Sequence, residues 1–115
     1  MKQQRPNQAQ MMRQLQKMQD DMAAAQAALE TETVEVSAGG GAVTVVMTGH
    51  QRVQSITINK EVIDVNDEEW LADLQDLLVV AMNQAVEQSQ VMAAEKMERI
   101  TGGLGNIPGL GGLFG

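Results

Sequence analysis

Apolar residues in the first third of the chain recur at steps of four and three. Met11, Leu15, Met18, Met22, Ala25 and Leu29 form a d/a heptad seam. The seam predicts one helix over residues 8–30, after a short lead that ends at Pro6. The period then drops to two. "TVEVSA" puts Val34 and Val36 on one face, "AVTVVMT" does the same with Val43, Val45 and Met47, and "RVQSITIN" with Ile56 and Ile58. These alternations predict strands over residues 33–38, 42–48 and 52–59. "GGG" at 39–41 supplies the positive φ angles of a tight reversal, and "GHQ" at 49–51 marks a second turn. From Asn66 the helical period returns. Asn66 is an N-cap candidate, with Glu69 three residues on as a capping box requires. Asp67, Glu68 and Glu69 suit the positive end of the helix dipole. The pattern runs to Ile100, and Gly102 and Gly103 end it. This second helix is broadly apolar from Trp70 to Ala85, which implies burial against more than one neighbour. It then narrows to Met92, Ala93, Met97 and Ile100, enough for a single neighbour. The expected fold class is α+β: an α-β-β-β-α subunit, with a three-stranded antiparallel meander flanked by two long helices.

Helix length makes a further demand. A helix of about 34 residues is about 50 Å long, whereas a 100-residue domain has a radius of gyration of ~13 Å. The second helix must project beyond a three-stranded sheet, and one helix beside such a sheet leaves apolar surface open. A two-fold homodimer with projecting helical arms covers it. In each arm the start of the first helix meets the end of the second, placing Met11, Met12 and Leu15 near Met92, Met97 and Ile100. Residues 1–103 then make one domain. The glycine-rich "GGLGNIPGLGGLFG" leaves residues 104–115 as a flexible tail, whose Leu104, Ile107, Leu110, Leu113 and Phe114 can still dock on a surface or partner.

Composition narrows the function. The 115 residues contain no Cys, which removes disulfides, thiolate catalysis and Cys-based zinc sites. One Phe, one Trp and no Tyr leave little for stacking on bases. No apolar run approaches the ~20 residues that span a membrane, and the N-terminus has no apolar h-region. It is Arg-bearing like a transit peptide, but it lacks Ser enrichment and its seam runs unbroken into Asp20 and Asp21. A cytoplasmic location is expected. His50 is the only His and falls in a predicted turn, "GGG" opens a strand rather than a helix, and the acids at 67–69 are explained by capping. No catalytic residue, metal site, cofactor or small-molecule substrate is expected, and no enzyme.

Charge is the remaining signal. The formal net charge of −7 conceals a polarised chain. Residues 1–19 hold Lys2, Arg5, Arg13 and Lys17 and no acid, while residues 60–80 set Glu61, Asp64, Asp67, Glu68, Glu69, Asp73 and Asp76 against Lys60 alone. On the heptad register Arg13 and Lys17 take f and c positions, away from the seam, with Lys17 one turn from Asp21. At the tip of an arm Arg5, Arg13 and Lys17 approach Lys96 and Arg99, a candidate surface for an anion.

Three pieces of the chain, taken together, carry a family resemblance. They are the Met/Gln-rich helix "MMRQLQKMQDDM", the hairpin "AGGGAVTVVMTG", and the strand, acidic loop and Leu/Ala-rich helix "ITINKEVIDVNDEEWLADLQDLLVVAMNQA". The sequence resembles the YbaB/EbfC family of bacterial nucleoid-associated proteins from about Met11 to Gly103. The resemblance implies an α-β-β-β-α subunit, a homodimer with helical arms, and binding of double-stranded DNA through those arms, with a role in nucleoid organisation or gene regulation. The family has no sharp signature of contact residues, so Arg5, Arg13, Lys17, Lys96 and Arg99 are chosen from charge. Glu95 and Glu98 stand beside Lys96 and Arg99 and cancel them locally. Five bases per arm predict weak, strongly salt-dependent contacts to phosphate with little base readout. No groove-reading helix motif, zinc finger or basic zipper is present. The alternative is a protein-interaction or chaperone-like dimer that grips polypeptide with its Met-rich helices and apolar tail. Binding that survives high salt distinguishes it.

Overall fold

The computed structural model describes residues 8–102. Five elements follow in the order α1 (Gln8–Leu29), β1 (Thr33–Ala38), β2 (Val43–Thr48), β3 (Val53–Ile58) and α2 (Trp70–Thr101). The architecture is α-β-β-β-α, with a three-stranded antiparallel sheet of order β1-β2-β3. The chain divides into two compact units. Ala28–Ala94 forms a sheet unit, and residues 8–27 with 95–102 form a helical unit.

In the sheet unit the strand register assembles one apolar face. Val34 lies opposite Met47, Val36 opposite Val45, and Ala38 opposite Val43; across the other edge, Val45 faces Ile56 and Val43 faces Ile58. Residues directly opposite share a face. A bulge then re-aims β3, because Val46 is opposite Ser55 while Met47 is opposite Val53, leaving Gln54 as the extra residue. Val53 thereby joins Ile56 and Ile58 on the core face. α2 covers only part of that face. Ala81 and Ala85 close a core with Ala38, Val43, Val45 and Met47, flanked by Leu74, Leu77, Leu78, Met82 and Val86. β3 contributes nothing to this cluster, and Ile56 remains 47% exposed.

The turns divide their glycines by purpose. Gly39, Gly40 and Gly41 all have positive φ (67°, 65° and 95°), and a Cβ on Gly39 would also lie 2.6 Å from Leu77 Cδ1. In the second turn the left-handed residue is Gln51, φ 64°, rather than Gly49. Gly49 serves close packing, since a Cβ there would meet Leu29 and lie 3.1 Å from Met92 Cε. The Thr48 hydroxyl accepts from the N–H groups of His50 (3.3 Å) and Arg52 (3.2 Å). The buried Ser89 hydroxyl donates to the Thr48 carbonyl at 2.8 Å, tying α2 to this turn.

α2 begins at Trp70, four residues beyond the expected Asn66. The Asn66 N–H donates to the Asp64 carboxylate and the Glu69 N–H to the Asp67 carboxylate, both at 3.0 Å. These local turns compete with helix for residues 64–69. Asp67 therefore does the work the sequence pattern gave to an Asn66–Glu69 box, and the Glu69 carbonyl accepts the bond from Asp73 at 2.9 Å.

The helical unit is less enclosed. On α1, Ala25 is buried and Met22 and Met18 are half-buried, but Leu15 is 41% and Met11 37% exposed. On α2, Lys96, Met97 and Ile100 are half-buried. The expected packing of Met11, Met12 and Leu15 is corrected here. The first and third are exposed members of the seam, and Met12, 66% exposed, lies off it.

Candidate nucleic-acid interface

Four of the five candidate cations lie in the helical unit, two on each helix. Arg13 sits on the exposed side of α1, where its Nε donates to the Ala9 carbonyl at 3.3 Å. Lys17 is exposed one turn further on. Its Nζ donates to Asp21 Oδ2 at 2.9 Å, the i,i+4 pair the spacing predicts. That hydrogen bond, with the Asp21 charge, raises the Lys17 pKa above its ordinary value of 10.5. Arg99 is exposed in the last turn of α2, where the helix dipole favours a cation. Lys96 is half-buried, as when the aliphatic stem packs on apolar neighbours and the ammonium head stays in water. Arg5 lies outside the described residues.

Charge balance in this unit is tighter than the sequence ends suggest. Asp20, Asp21, Glu95 and Glu98 match Arg13, Lys17, Lys96 and Arg99 one for one. Among the described residues of this unit, Arg13 and Arg99 are the two exposed guanidinium groups, the type suited to bidentate contact with phosphate.

The acidic end of α2 has a different character. A cleft of about 260 Å³ is lined by Gly39, Ala42, Trp70, Asp64, Asp67 and Asp73 with neighbouring apolar residues. Its lining has no hydroxyl, amine or imidazole; its polar side chains are the carboxylates of Asp64, Asp67 and Asp73 and the Trp70 indole. His50 is exposed on the β2–β3 turn, where it lines an open groove with Glu30 and Arg52. Among the described residues no three His, Cys, Asp or Glu side chains are grouped to hold a metal ion, and no helix is long and apolar enough to cross a membrane.

Fold and charge together define a small α+β chain in which a three-stranded meander lies, in sequence, between two long helices that carry exposed cations. The chain belongs to the YbaB/EbfC DNA-binding family, whose model matches residues 3–104. It is 50% identical over 105 residues to a nucleoid-associated protein of Alkaliphilus metalliredigens, covering 91% of this chain and 89% of the relative. A nucleoid-associated protein of Desulforamulus reducens is 54% identical over 104 residues, covering 90% and 95%. One from Ruminiclostridium cellulolyticum is 48% identical over 100 residues, covering 87% and 84%.

Proposed function

We propose that this chain is a nucleoid-associated protein that binds double-stranded DNA as a homodimer, in the cytoplasm at the nucleoid, and contributes to nucleoid organisation or gene regulation. The observation that carries the reading is membership of a DNA-binding family over residues 3–104. Residues 1–103 act as the DNA-binding domain. The contacts are mainly to phosphate, made by Arg13 and Arg99 as exposed forks, by Lys17 and Lys96, and by Arg5 from the lead. Lys17 exchanges its Asp21 partner for a phosphate, which makes it a weaker contributor than Arg13. Exposed cations on a chain of negative net charge give weak binding that salt readily disrupts. The polypeptide-gripping alternative draws no support from the family match.

The uncovered part of the core face supports self-association. Val53, Ile56 and Ile58 point to the same side as Val43, Val45 and Met47, yet α2 leaves them about half exposed. Val79 and Val80 on α2 are exposed as well. A second copy laid on β3 removes this apolar surface from water. Ile56→Glu with Ile58→Glu should convert a dimer to a folded monomer. Sedimentation equilibrium reports the mass and far-UV circular dichroism the fold, and an undiminished dimer contradicts the β3 interface.

The test of the DNA assignment is Arg13→Glu with Lys17→Glu. This double variant should lose gel retardation of random duplex while remaining a folded dimer. Unchanged affinity at low salt sinks the placement of the site on α1.

A further inference from the structure

Within the helical unit the two helices do not contribute equal lengths. α2 supplies residues 95–101 and then its helix ends, a stretch of about 10 Å. Protection on α1 runs from Ala25 back to Met18, also about 10 Å. Beyond that level α1 overhangs α2. The seam continues along the overhang for two more turns, through Leu15 to Met11, and both side chains are exposed.

The pattern of the overhang selects its cover. The apolar positions keep the 3.5-residue repeat, which packs knobs into holes against another helix rather than against extended chain. In that heptad Met11 and Met18 are d and Leu15 is a. The flanking e and g positions are Met12, Gln14 and Gln19, all uncharged, so no side chain beside the seam favours a charged partner. Arg13 at f and Lys17 at c lie on the far side. A second α1 can therefore meet the first with no like charges at the contact. Met12 is 66% exposed, and as an e residue it stands at the edge of such a two-helix contact.

Direction follows from what is already occupied. From Met18 to Ala25 the seam is protected at the level of α2 of its own chain, so a parallel second α1 would collide with that helix. An antiparallel α1 overlaps only the overhang and leaves α2 of both copies in place. With the overlap centred at Arg13, Met11 of one copy lies opposite Leu15 of the other, and the two Met12 side chains meet beside the two-fold axis.

We infer that the overhanging turns of α1 pair antiparallel with those of a second copy, through Met11, Met12 and Leu15. Two turns from each copy bury far less than the ~1,200 Å² of a stable interface, so the pair is transient. It leaves Arg13 and Lys17 of both copies on the outside. The contact uses neither DNA nor β3, so failure of either of those assignments leaves its test intact.

The chain has no native cysteine, so one introduced thiol reports the contact, and disulfide formation traps short-lived pairs. In the full chain without DNA, Met12→Cys should oxidise to a linked pair of chains about tenfold faster than Arg13→Cys, because pairing raises the effective thiol concentration only on the seam side. The two positions lie about 1.5 Å apart along the helix and about 100° apart around it, so the comparison reads direction alone. Met11→Gln with Leu15→Gln should remove the advantage of Met12→Cys, with far-UV circular dichroism showing the helix retained. Equal rates at the two positions, or an advantage that survives loss of the seam, overturn the pairing.

Discussion

The sheet unit and the helical unit use the same residue types to opposite ends. Met47 in β2 is 1% exposed, whereas Met12 on α1 is 66% exposed. Ala81 and Ala85 are sealed against the sheet, whereas Ala23 and Ala24 face water. Ser89 is buried and bonded to a carbonyl across the unit, whereas Thr101 returns its hydroxyl to Met97 in its own helix. The difference is the presence of a second layer. In the sheet unit α2 lies over two strands and excludes water from both. Among the described residues of the helical unit each helix has at most one neighbour, so only a narrow seam is protected and most side chains stay available to a partner. Stability is concentrated in the first unit and contact surface in the second.

Matched substitutions put that contrast at risk. Met47→Ala removes a buried side chain and leaves a cavity, at a cost of about 2–5 kcal/mol in denaturant unfolding. Met12→Ala should change stability by no more than ~0.5 kcal/mol. Equal costs at the two sites break the comparison. Ser89→Ala is milder. The Thr48 carbonyl keeps its bond from the Gln51 N–H at 2.9 Å, so no acceptor is orphaned, and the loss is about 0.5–1.5 kcal/mol. The smallest effect concerns Lys17. Its pKa is raised in the folded chain, so the pair with Asp21 contributes fully at neutral pH and is lost only as pH climbs past 10.5 and through the folded value. Asp21→Asn should lower α1 helicity slightly at neutral pH and make no difference above that range, as followed by circular dichroism.

Much of the fold was legible because both periods are strong. The heptad from Met11 to Leu29 and the alternations around Val34, Val45 and Ile58 gave the element order and class directly. What escaped the pattern depended on geometry that sequence spacing does not encode. Val53 sits three positions from Ile56, so alternation excludes it from the strand's apolar face; the bulge at Gln54 restores it. Gly49 looks like a turn glycine, yet it is there because Leu29 and Met92 press against its α-carbon, and Gln51 takes the left-handed angle instead. The start of α2 slipped to Trp70 because Asp64 and Asp67 bind nearby backbone N–H groups in turns, and those bonds are as local as a capping box. Ser89 reads as an ordinary polar helix residue until the Thr48 carbonyl is seen opposite it. For the candidate interface, periodicity placed Arg13 and Lys17 on the outer side of α1 and foresaw the Lys17–Asp21 pair. It overstated the cover of Met11 and Leu15, because the last helical residue of α2 was legible but its level along α1 was not.

The central claim is that exposed cations hold DNA through its phosphates. Fluorescence anisotropy of a random duplex, titrated with the full-length protein at several salt concentrations, tests it most directly. Five phosphate contacts from one arm give a slope of log K against log salt of about −4.5, and a dimer that engages both arms gives a steeper one. The expected slope is at least that steep, with little difference between unrelated sequences. Affinity that holds level as salt rises, or no binding at low salt, contradicts it.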